Sequence, residues 1–135
     1  MSDVKAAELG LSPLDVYRSF AVSGVDPDVI EIGPAEAVPK VFTKADIPLE
    51  KVGLIELDEA FSAQSLVVIR ALDLDIDIVN VNGVAIALGH PIGCTGARQV
   101  VTIIHEALRR KIKFGLVTMC IGGGKGAVGV FEFIS

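Results

Sequence analysis

The chain has 135 residues, 51% of them hydrophobic, and its 12 Lys and Arg against 17 Asp and Glu give a net charge of −5 at neutral pH. That length suits one domain with a genuine core. An acidic chain with no basic cluster interleaved with aromatics excludes nucleic acid as a partner.

Taken in chain order, residues 3–9 read as a short helix capped by Ser2 or Asp3. VYRSFAVSG (16–24) is rich in β-formers and ends at glycine, which predicts a strand. Pro and Gly punctuate a connection over 25–34. Between Pro34 and Ala45, the residues Ala37, Val38, Val41, Phe42 and Ala45 recur at helical spacing, so an amphipathic helix is expected that stops before Pro48. A strand over 52–58, a helix over 59–73 and a third strand over 78–84 follow. GHPIGCTG then opens a long helix over 94–111, whose His105, Arg109, Arg110 and Lys111 suit its negative end. Two closing strands, 114–121 and 127–134, flank a glycine run and are expected to pair antiparallel. Alternating strands and helices predict one α/β domain with a mostly parallel sheet of five strands.

Several classes drop out. Two cysteines, Cys94 and Cys120, make no disulfide framework and no CxxC pair. Together with the two histidines they never reach metal-ligand spacing, so no metal is expected. MSDVKAAELG lacks the apolar core of a signal peptide, and the longest apolar region is broken by Asn, Gly, His and Pro. The expectation is a cytoplasmic protein with no membrane partner. A mean hydropathy of +0.60 points to strands buried on both faces or to a surface covered by another chain.

Two glycine-dense stretches carry the chemistry. GHPIGCTGAR (89–98) sets His90 between a glycine and a proline at a strand-to-helix turn, a favoured position for active sites in open α/β sheets. CIGGGKG (120–126) sets Cys120 at the end of an apolar strand, where glycine N–H groups can crowd toward a bound atom. An imidazole, a thiol and free N–H groups are the parts that acyl transfer through a thioester needs. By residue type alone, a solvated or structural loop histidine, an inert strand cysteine and a tight hairpin are the commoner explanations.

Four ordered blocks decide between these readings. SFAVSGVDPDVIEIGPAEAVPKV, LIELDEAFSAQ, NVNGVAIALGHPIGCTGAR and GLVTMCIGGGKGAVGVFE run nearly end to end, and in that order they resemble the C-terminal half of the thiolases. The resemblance implies a mixed, mostly parallel five-stranded sheet with helices on both faces. It also implies acyl transfer on coenzyme A thioesters, which are substrates, so no cofactor is implied. His90 matches the histidine that helps activate the nucleophile and hydrogen-bonds the thioester oxygen. Cys120 matches the acid/base that moves a proton at the α-carbon, and Gly122 matches an oxyanion-hole N–H donor. Phe61 matches an aromatic that lines the pantetheine channel.

Asp58 stands where the family has an Asn that holds a water at the other oxyanion hole. An ionised carboxylate about 6 Å from the oxyanion would cost roughly 3 kcal/mol at an effective dielectric near 20. Val84 replaces a glycine and would be strained if the position needed positive φ. Cys94 reads as packing, Thr95 as a helix-start residue and Lys125 as solvated. The resemblance places the acyl-carrying nucleophile in an N-terminal half outside these residues. The chain alone is therefore expected to lack complete activity, and its expected partners are acyl-CoA and an N-terminal thiolase half or further copies of itself. The alternative is a non-catalytic thiolase-like module acting in oligomerisation or ligand binding.

Overall fold

A computed structural model describes residues 1–134. The helices are α1 (Asp3–Glu8), α2 (Gly33–Ala45), α3 (Ser62–Ala71), α4 (Ala85–Leu88) and α5 (Thr95–Arg110); the strands are β1 (Asp15–Gly24), β2 (Val52–Leu57), β3 (Phe114–Ile121) and β4 (Lys125–Phe133). The strands form one sheet in the order β1-β4-β3-β2. The fold class is α/β as expected, with helices on both faces, but two details of the sheet differ. Pairings β1–β4 and β4–β3 are antiparallel, and only β2–β3 is parallel. The β3–β4 hairpin and the return of β1 beside β4 outweigh the single helical crossover.

The expected strand over 78–84 is the other correction, leaving four strands. Its alternation is apolar enough, but Ile76–Ile78 form a 3-10 turn and only Val79 bridges β2, at Ile55. Asn80 takes positive φ, and its side-chain amide accepts from the Leu57 N–H and donates to the Leu57 carbonyl, both at 2.8 Å. One side chain thus satisfies the backbone edge that a fifth strand would have paired.

Helix α2 begins with Pro34 in its first turn and ends at Asp46, whose φ of 52° terminates it before Pro48. Its Ala37, Val38 and Val41 are fully buried against Ala21, Ile55, Leu57, Leu116, Val128 and Val130. Helix α5 covers the opposite face through Ile103 and Ala107, which pack on Leu54, Val117, Phe131 and Phe133. At its far end, Glu106 accepts hydrogen bonds from Arg109 and Arg110, and these with Asn82 hold its carboxyl well below the usual range. Helix α5 lies over β2 and β3, so Tyr17, Phe20 and Val22 of β1 are left exposed on that face. Among the described residues no helix is long and apolar enough to cross a membrane.

The ends of α2 and β4 meet without side chains. A Cβ on Gly126 would overlap the carbonyl group of Gly33 and the nitrogen of Pro34, and a Cβ on Gly33 would overlap the backbone of Lys125 and Gly126. Gly126 is the cross-strand partner of Cys120. The same contact that seats α2 therefore fixes the strand beside the thiol.

Candidate active site

Two turns build the site. After α4, Gly89 and Gly93 take φ of 87° and 71° and bracket His90, Pro91 and Ile92, so the chain doubles back before α5. Arg98 in the first turns of α5 returns to the Gly89 carbonyl at 2.6 Å and ties the loop down. The second turn joins β3 to β4. Gly123 and Gly124 carry positive φ, and the Gly124 carbonyl accepts the Val25 N–H at 2.7 Å.

His90 and Cys120 both line one open cleft of about 430 Å³, which Cys94, Thr95, Met119 and Gly122 also line. The imidazole is half-exposed. Its Nδ1 lies 2.8 Å from the Thr95 hydroxyl and 3.4 Å from Oδ2 of Asp58. The cleft raises the Cys120 thiol above its ordinary value, first through burial and then through the charges of Asp58 and Glu31. At neutral pH the sulfur therefore rests as a thiol, the form that gives up a proton.

The remaining candidate residues are placed as follows. Asp58 is fully buried and extends the β2–β3 ladder, its N–H donating to the Thr118 carbonyl at 2.9 Å. Its Oδ2 lies 3.4 Å from His90 Nδ1, which sets the carboxylate beside the imidazole. Phe61 is exposed and lines a separate groove with Val29, Ile30, Glu31 and Gln64. Val84 has φ −126°, and the positive φ belongs to Gly83 beside it, so the feared left-handed strain is absent. Cys94 is exposed in the cleft wall and does not pack in the core. Among the described residues no cluster of three or more His, Cys, Asp and Glu could hold a metal ion.

Sequence reasoning missed Asn80, Arg98 and Glu56, and it gave Thr95 its place at the helix start but not its contact with His90. Thr95 is a buried polar residue at the start of α5, and its hydroxyl faces His90 rather than capping the helix. Asn80 also donates to Glu59 at 3.0 Å, and Glu59 accepts the Ile86 N–H at 3.0 Å, which links β2 to α4. Glu56 is a charged residue in an otherwise apolar strand, a signal that was open to reading.

Burial pushes the Glu56 carboxyl up to about 7, opposed by the Arg98 charge and assisted by Glu59. A carboxyl raised above its unfolded value favours folding fully below pH about 4.5, and that contribution is lost as pH climbs through about 7. The difference is worth at most roughly 3 kcal/mol. The urea midpoint of the chain should accordingly be higher at pH 5 than at pH 8.5. In Glu56→Gln the part of that difference due to this carboxyl should vanish.

With this geometry in place, likeness to known proteins is informative. The sequence profile described as "Thiolase, C-terminal domain" matches residues 11–133. The chain belongs to the thiolase family. It is 57% identical to a 3-ketoacyl-CoA thiolase of Bacillus subtilis over 98% of its own length and 34% of that protein's. It is 51% identical to a peroxisomal 3-ketoacyl-CoA thiolase B of the rat, over 96% and 31% respectively. Among solved thiolase-family structures, the Bacillus anthracis acetyl-CoA acetyltransferase superposes with a TM-score of 0.96 at 49% identity, covering 99% of this chain and 34% of that one. Human mitochondrial 3-ketoacyl-CoA thiolase in complex with CoA gives 0.96 at 40% identity, covering 99% and 34%. The chain thus spans about a third of the length of the thiolases it matches.

Proposed function

We propose that this chain supplies the His90 and Cys120 side of a thiolase active site, which transfers acyl groups between coenzyme A thioesters. A part outside these residues contributes the acyl-carrying nucleophile. The observation that carries the reading is that one imidazole, from the loop before α5, and one thiol, from the end of β3, line the same open cleft. In it, His90 takes the proton of the attacking thiol and then hydrogen-bonds the thioester oxygen. Cys120 delivers a proton to the α-carbon when a 3-ketoacyl thioester is cleaved, or removes one when two acyl groups are joined. The raised thiol favours the delivering direction. The Gly122 N–H steadies the negative charge on the second thioester oxygen, and Phe61 contacts the pantetheine arm from the neighbouring groove. Cytoplasmic placement and assembly with further copies belong to the same proposal.

The test is to mix the chain with the nucleophile-bearing portion of a thiolase and acetyl-CoA, then assay acetoacetyl-CoA and acylated cysteine. Product requiring both components supports the reading. Product from the chain alone contradicts the division of roles.

Gly122 offers a sharper check. Its φ is not positive, and a Cβ there would meet no atom within 4 Å. Nothing in the fold asks for glycine at this position, so the demand comes from whatever approaches the backbone. Gly122→Ala should leave the urea midpoint within about 0.5 kcal/mol of the parent. In the reconstituted assay it should lower turnover by about a hundredfold, by keeping the thioester oxygen away from the N–H.

A further inference from the structure

Asp58 has no settled partner. Both carboxyl oxygens are buried, and no hydrogen-bond donor among the described residues meets them in bonding geometry. Its backbone is pinned by the Thr118 carbonyl on one side and by the Ser65 hydroxyl, 3.4 Å from the Asp58 carbonyl, on the other. The carboxylate is therefore held where it is, with Oδ2 3.4 Å from His90 Nδ1.

Thr95 alone leaves the imidazole tautomer open. Its single hydroxyl proton has two acceptors in reach, Nδ1 at 2.8 Å and the Pro91 carbonyl at 3.4 Å. It can donate to a bare Nδ1, or point to Pro91 and accept from an Nδ1–H. A carboxylate can only accept. A bare Nδ1 would set its lone pair against those of Oδ2 across 3.4 Å, whereas an Nδ1–H turns a donor toward the buried carboxylate.

We propose that Asp58 is a positioning residue that holds the His90 proton on Nδ1, which leaves the Nε2 lone pair as the base of the cleft. This deepens the thiolase reading and rests on it for the use made of Nε2. In the transfer step the S–H bond of the attacking thiol breaks, and its electron pair stays on sulfur. The proton forms a new bond to Nε2, and the sulfur attacks the thioester carbonyl. When the carbon–sulfur bond to coenzyme A breaks, the proton passes from Nε2 to the departing sulfur. Asp58 faces the positive ring throughout the interval in which both nitrogens are protonated. The residue that looked like an electrostatic burden on the oxyanion thus acts on the histidine instead.

The test needs no substrate. In the ¹⁵N-histidine-labelled chain, at a pH where the ring is neutral, two-bond proton–nitrogen correlations read the His90 tautomer, with His105 identified by a His105→Gln control. The expected result is Nδ1 as the protonated nitrogen in the parent chain. In Asp58→Asn the tautomer ratio should move toward Nε2–H by roughly tenfold, while Thr95→Val should keep Nδ1–H. An Nε2–H majority in the parent overturns the proposal, including the case in which a protonated Asp58 donates to Nδ1. So does an unchanged ratio in Asp58→Asn. The parent spectrum decides even if a variant fails to fold. Because the measurement involves no acyl transfer, an inactive reconstituted pair with Nδ1–H intact would sink the thiolase reading and leave this assignment standing.

Discussion

Gly126→Ala should destabilise the chain by at least about 3 kcal/mol, measured as the shift of the urea midpoint, or prevent folding outright. The added methyl lands on the Gly33 carbonyl group and Pro34 nitrogen, which are main-chain atoms of α2. A side chain can rotate away from an intruder, but here the whole helix start must move, and it is packed into the larger core through Ala37, Val38 and Val41. Overpacking of ordinary cores costs about 1–3 kcal/mol, and a backbone-on-backbone clash belongs at or above that upper end. Gly129→Ala in the same strand is the control. Its Cβ would come 3.2 Å from the ring of Phe131 and 3.4 Å from that of Tyr17, and such side-chain atoms can yield. Its cost should be about 1 kcal/mol or less. Equal costs at the two positions would refute the close approach of α2 to β4.

In the reconstituted enzyme, His90→Ala should lower acyl transfer by a factor on the order of 10³. The loss combines a general base with a hydrogen-bond donor to the oxyanion. Cys120→Ala should have a comparable effect on overall turnover at a different step. Acylation of the partner's nucleophile should persist, while exchange of the α-carbon hydrogens of acetyl-CoA with deuterated water should disappear. Mass spectrometry of the acylated partner and NMR of the recovered thioester separate the two defects. If Cys120→Ala abolished acylation as well, the thiol would have to act in the first step, and the assignment of roles would fail. If His90→Ala left acylation intact, the imidazole would be a bystander.

Much of this arrangement was readable beforehand, for reasons particular residues make plain. Ala37, Val38 and Val41 repeat at helical spacing because one face of α2 is wholly buried. His90 and Cys120 stood out because glycines crowd around them, and both turns do use positive φ. What escaped depends on distant partners. The alternation in 78–82 is a fair strand pattern, but Asn80 reaches β2 with its side chain and removes the need for a strand. Strand direction was misjudged because adjacency of β1 and β4 joins residues more than a hundred positions apart. Thr95 and Asp58 were given roles at a helix start and an oxyanion, since no linear pattern tells which way a buried oxygen points. Resemblance supplied the roles of the residues, and only the coordinates supplied the neighbour beside the imidazole.

The uncovered side of β1 has a consequence for anyone handling the isolated chain. Tyr17, Phe20 and Val22 present apolar surface to water, and at neutral pH repulsion between chains of net charge −5 opposes non-specific association through it. That repulsion fades as pH approaches the isoelectric point near 4.9. The Glu56 carboxyl, in contrast, favours the folded state most strongly on the acid side of 7. The two trends run in opposite directions, so mild acidification should bring well-folded molecules out of solution, and turbidity there would be a colloidal event rather than a sign of unfolding.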